Sequence, residues 1–83
     1  MALIKSVRGF TPIIGNGCYL AETAVIIGDV VIGDECSIWF NTVIHCAKIH
    51  DRVLIGIGAI VLDHAIIGEN SIIAAGADER DDR

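Results

Sequence analysis

An aliphatic residue returns every six positions along most of this chain, and a period of six suits neither an α-helix nor a long strand. The positions are Ile14, Leu20, Ile26, Ile32, Ile38 and Ile44, then Ile49, Ile55, Val61, Ile67 and Ile73. Ten of these eleven are followed four residues later by a small side chain: Cys18, Ala24, Val30, Cys36, Thr42, Val53, Ala59, Ala65, Ser71 and Ala77. Each hexad can supply a short strand, with residues alternating inward and outward, and then a turn. Three hexads closing a triangular coil give about 18 residues per rung, with parallel strands stacked at about 4.8 Å. Eleven hexads then make fewer than four coils. The expected fold is an all-β parallel helix with a prism-shaped core.

Composition agrees with a core of many small contacts. The 83 residues are 53% hydrophobic but only 5% aromatic. A chain this short buries little surface by itself, and exposed parallel edges invite association, so an oligomer is expected. No apolar run approaches the roughly 18 residues of a membrane span, and the start lacks the layout of a signal peptide. A cytoplasmic protein that does not bind membranes is therefore expected. With a net charge of −5 and no basic patch, nucleic-acid binding is excluded as an expectation. Residues 1–77 read as one domain. Residues 78–83, with Asp78, Glu79, Asp81 and Asp82 beside Arg80 and Arg83, read as a solvated, disordered tail.

Several residue types have structural readings. Cys18, Cys36 and Cys46 form no CxxC pair; Cys18 and Cys36 occupy small-residue slots and are expected to be reduced core thiols. Gly15, Gly33, Gly56 and Gly68 follow aliphatic positions, where backbone freedom would ease the corners. Asp29, Asp34, Asp51, Asp63 and Glu69 recur near those corners and are expected to cap turn backbone. Trp39 and Phe40 are adjacent, so one should point inward and the other outward as an oligomer contact. Gly28 and Gly33 precede no helix and are not a phosphate loop.

The segment GFTPIIGNGCYLAETAVIIGDVVIGDECSIWFN (residues 9–41) closely resembles the opening of γ-class carbonic anhydrase-like proteins, and AKIHDRVLIGIGAIVLDHAIIGENSIIAAGA (residues 47–77) resembles their later coils. The resemblance implies a left-handed parallel β-helix assembled as a homotrimer. It also implies a metal, usually zinc, held by three histidines at the subunit interface, two from one chain and one from its neighbour. Such a site lowers the pKa of bound water and hydrates CO2 to bicarbonate.

Between those two segments the family pattern fails. The Arg-Gly-Asp motif and further coils that relatives carry after the SIWFN-like segment have no counterpart; the step from Ile44 to Ile49 is five residues, a slip that the resemblance implies for relatives as well. An internal loss of whole coils would keep the stack in register. Against the family's Gly-His-Asn…Val-His-Gly stretch only the final histidine remains, as His45, while Trp39 and Phe40 stand in place of the Gly-His pair; residues 43–46 resemble the surroundings of the family's early-coil ligand equally, so His45 matches either one. His45 is thus the single candidate metal ligand, weighed against an outward-facing interface histidine, which is the more expected role. His50 and His64 are expected to be solvent-exposed, and either could complete an improvised site. These residues imply that CO2 hydration is weak or absent. A structural assembly module and a hexapeptide acyltransferase-like protein, with His45 as general base, are the alternatives.

Overall fold

The computed structural model describes residues 2–80, and every regular element among them is a strand. Thirteen short strands wind into three parallel sheets that form the faces of a prism. The first face stacks β1 (Leu3–Lys5), β4 (Val25–Ile27), β7 (Val43–His45), β10 (Ile60–Leu62) and β13 (Asp78–Arg80). The second stacks β2 (Ile13–Ile14), β5 (Val31–Ile32), β8 (Lys48–Ile49) and β11 (Ile66–Ile67). The third stacks β3 (Tyr19–Leu20), β6 (Ser37–Ile38), β9 (Leu54–Ile55) and β12 (Ile72–Ile73). Successive strands change face and every third strand pairs, which is the solenoid that hexapeptide repeats build as a left-handed β-helix.

Each of the eleven aliphatic positions lies in one of the strands β2 to β12. Parallel register puts like above like: Ile26 beside Ile44 beside Val61, Ile32 beside Ile49 beside Ile67, and Ile38 beside Ile55. The small residues fill the corners between these columns, and Ala24, Val30, Cys36, Val53 and Ala59 are all buried. Thr42 is buried as well, and its hydroxyl donates to the Gly56 carbonyl at 3.2 Å. Where the six-residue step breaks, Ala47 takes the small slot three residues after Ile44 instead of four.

The described residues make about four turns, the eleven hexads supplying β2 to β12 and the strands β1 and β13 extending the first face at either end. Parallel pairing is made by the backbone, so a rung can form without the aliphatic signature. The tail expected from residue 78 onward is strand for Asp78–Arg80, in register with Ile60–Leu62, although its side chains are exposed; residues 81–83 lie outside the described residues. Trp39 and Phe40 do not split inward and outward. Ile38 already fills the core slot and β6 ends there, so alternation stops and both rings are 38% exposed. They form an aromatic row with Tyr19, with centroids 6.3 Å apart for Tyr19–Trp39 and 6.4 Å for Trp39–Phe40.

The thiols behave as small core groups. All three cysteines are free; Cys18 donates to the Gly33 carbonyl at 3.2 Å and Cys36 to the His50 carbonyl at 3.1 Å. Burial pushes the Cys36 thiol pKa up, because the low-dielectric core disfavours a thiolate.

Candidate functional site

The corner after β7 gathers most of the residues capable of chemistry. His45 is the last residue of β7, beside Ile27 of β4, so it stands on the outer side of the first face, half-buried. The next residue, Cys46, turns the corner with a positive φ of 52°. Its Sγ lies 3.3 Å from His45 Nε2, so imidazole and thiol share a hydrogen bond. Gly28, one coil earlier, takes the left-handed conformation with φ 78°, and a β-carbon there would make ordinary contact with the His45 ring, 3.4 Å from Cδ2.

The other two histidines are differently placed. His50 follows β8 on the second face and is exposed. His64 lies in the corner after β10, with φ 66°, and its N–H donates to the Cys46 carbonyl at 2.6 Å. That bond brings His64 to the corner of His45 and Cys46, joined there by Asp29 and Lys48 around one groove. His50 is not part of that corner.

Zinc needs about four ligands at close, fixed distances, three of them from protein in a catalytic site. Among the described residues no group of three or more His, Cys, Asp or Glu side chains is placed to hold a metal ion. Among the described residues one chain therefore does not supply the donor set, and His45 Nε2 faces Cys46 Sγ.

The acidic residues divide by role. Asp34 Oδ1 accepts the Asn16 N–H at 2.9 Å, and Asp51 Oδ1 accepts the Asp34 N–H at 2.8 Å, so these two cap turns of the preceding coil. Glu69 pairs with Arg52 at 2.9 Å and Asp63 with Arg80 at 3.5 Å. Asp29 lines the groove instead. Sequence reasoning missed Lys48 and the groove itself; the broken step at Ile44–Ile49 was the available signal.

Comparison with known proteins agrees with this architecture. The family described as "Bacterial transferase hexapeptide (six repeats)" matches residues 11–46 and again 46–77, meeting at Cys46. The chain is 32% identical over 110 residues to a protein named carbonic anhydrase from Geobacillus kaustophilus, covering 81% of this chain and 60% of that one. It is 33% identical over 91 residues to a probable carbonic anhydrase of Methanocaldococcus jannaschii, covering 72% and 57%. With the mitochondrial gamma carbonic anhydrase 1 of Arabidopsis thaliana it shares 26% over 74 residues, covering 77% and 27%. The chain thus spans about a quarter to three fifths of the length of these relatives. An alignment of 110 residues is longer than the whole 83-residue chain, so it crosses internal positions that this chain lacks.

Proposed function

Because the chain belongs to the hexapeptide-repeat family and is γ-carbonic anhydrase-like within it, we propose that it is a shortened γ-carbonic anhydrase-like protein serving mainly as an assembly module. In the relatives named carbonic anhydrases the reaction is hydration of CO2. The resemblance implies that in the fuller form of the site three histidines would hold zinc between subunits, where the metal would supply a hydroxide at neutral pH. Of the three histidines that the resemblance calls for, this chain carries one in the matching context, His45, and the Arg-Gly-Asp motif has no counterpart. That observation carries the reading. Hydration of CO2 by this chain is weak or absent, and the solenoid is what persists.

The outer rows support an assembly role. On the third face Tyr19 and Ile72 are 49% and 76% exposed, with Trp39 and Phe40 in the corner that follows β6, a large apolar display for so small a body. Packing against copies, as a trimer, would cover them. Zinc content and CO2 hydration measured together on the purified chain are the test. The expected outcome is substoichiometric zinc and hydration near the uncatalysed rate. One tightly bound zinc per chain with rapid hydration would overturn it.

A further inference from the structure

Between β4 and β5 the chain turns through Gly28, Asp29 and Val30, and between β10 and β11 through Asp63, His64 and Ala65; between β7 and β8 it has only Cys46 and Ala47. The strands cannot slide to absorb the shortfall, because His45 stays beside Ile27 and Lys48 stays beside Val31. The corner after β7 is therefore one residue shorter than the corners of the coils on either side. A groove of about 310 Å³ opens there, lined by Asp29, Cys46, Lys48 and His64, with Val31 and Ile66 along its apolar side.

Three residues that line this opening have side chains without partners among the described residues. Asp29, Lys48 and the His64 ring make no hydrogen bond or ion pair with any described residue. Elsewhere on the prism opposite charges at the corners do meet, as in Arg52–Glu69 at 2.9 Å. Here a carboxylate and an ammonium line one groove beyond ion-pair reach of each other. A ligand carrying both charges satisfies both at once, which a singly charged ligand cannot.

We propose that this groove binds a small zwitterion, an α-amino acid with a branched aliphatic side chain. Its carboxylate accepts from the Lys48 ammonium and a ring N–H of His64. Its ammonium donates to Asp29, and its side chain rests on Val31 and Ile66. No metal at His45 is needed. An open groove with three polar contacts corresponds to affinity on the order of millimolar.

The test is a titration of the ¹⁵N-labelled full chain, with a chelator present so that metal plays no part. The probes are L-leucine, N-acetyl-L-leucine (no ammonium) and L-leucinamide (no carboxylate). Leucine should shift the Cys46, Lys48 and His64 amides saturably, and each derivative should bind about tenfold more weakly, the worth of one charge-assisted contact. Asp29→Asn should abolish the difference between leucine and N-acetyl-leucine, and Lys48→Gln that between leucine and leucinamide. Equal binding of all three probes, saturation at other amides, or no saturation by about 50 mM would each overturn the proposal. Should a variant misfold, the three probes on the unaltered chain still decide it.

Discussion

At Gly33 the residue is chosen for room rather than for backbone freedom. Its φ is not positive; among the described residues the left-handed positions belong to Arg8, Glu35, Asn41, Cys46, Arg52, Asp63, His64 and Asn70, with five other glycines. A β-carbon on Gly33 would collide with Asp51 Oδ1 and stand 2.8 Å from the His50 carbonyl carbon. Gly15 is crowded in the same way by Asp34, so each glycine clears space for the capping carboxylate one coil on. His50 occupies the equivalent place in the next coil, and there the acid, Glu69, turns to Arg52. Gly33→Ala should therefore cost about 1–3 kcal/mol in urea unfolding, while Gly68→Ala, with open space around it, stays within about 0.5 kcal/mol. The glycines were legible as corner markers, but their reason was not, because it lies 18 residues away in the next coil. Cys36 gives a pH prediction. Its thiol pKa is raised by burial, so as pH climbs through the ordinary thiol range of about 8.5 the unfolded chain loses this proton before the folded one does. Stability present at neutral pH should fall above that range, and Cys36→Ala should flatten the alkaline fall measured as urea midpoint against pH.

Among the strands, burial decides which rungs matter. Ile44 of β7 has Ile26 on one side and Val61 on the other and is fully buried, so Ile44→Ala should cost about 2–5 kcal/mol. Ile73 of β12 is only partly buried, and the same truncation there should cost clearly less by the same urea measurement. The small corner column is more forgiving. Thr42→Val should change stability by less than about 1 kcal/mol, since Val30 and Val53 fill equivalent slots and the Gly56 carbonyl keeps the Ala59 N–H at 3.1 Å. Strands β2 to β12 were legible because burial writes an aliphatic residue into each. β13 was not: Glu79 lies beside Val61 by backbone pairing alone, and composition pointed to solvent.

For the whole molecule, the question is what covers the outside of the prism. The aromatic row of Tyr19, Trp39 and Phe40 lies exposed on the third face and the corner that follows it. If copies meet there, light scattering should give a mass near three times the 8.8 kDa chain, and Trp39→Lys should lower it toward the monomer. An unchanged mass would place the contact on another face. By itself the sequence determined the solenoid, its inward columns and its family likeness, because a six-residue period of buried aliphatics admits few other folds. It also marked the broken step and left His45 as the one ligand-like histidine. Only the tertiary structure decided that a groove lies at the shortened corner, that His64 reaches the corner of Cys46, and that Asp29 and Lys48 line it without pairing. Those relations join residues about a coil apart, and their geometry depends on how rungs stack rather than on any local pattern.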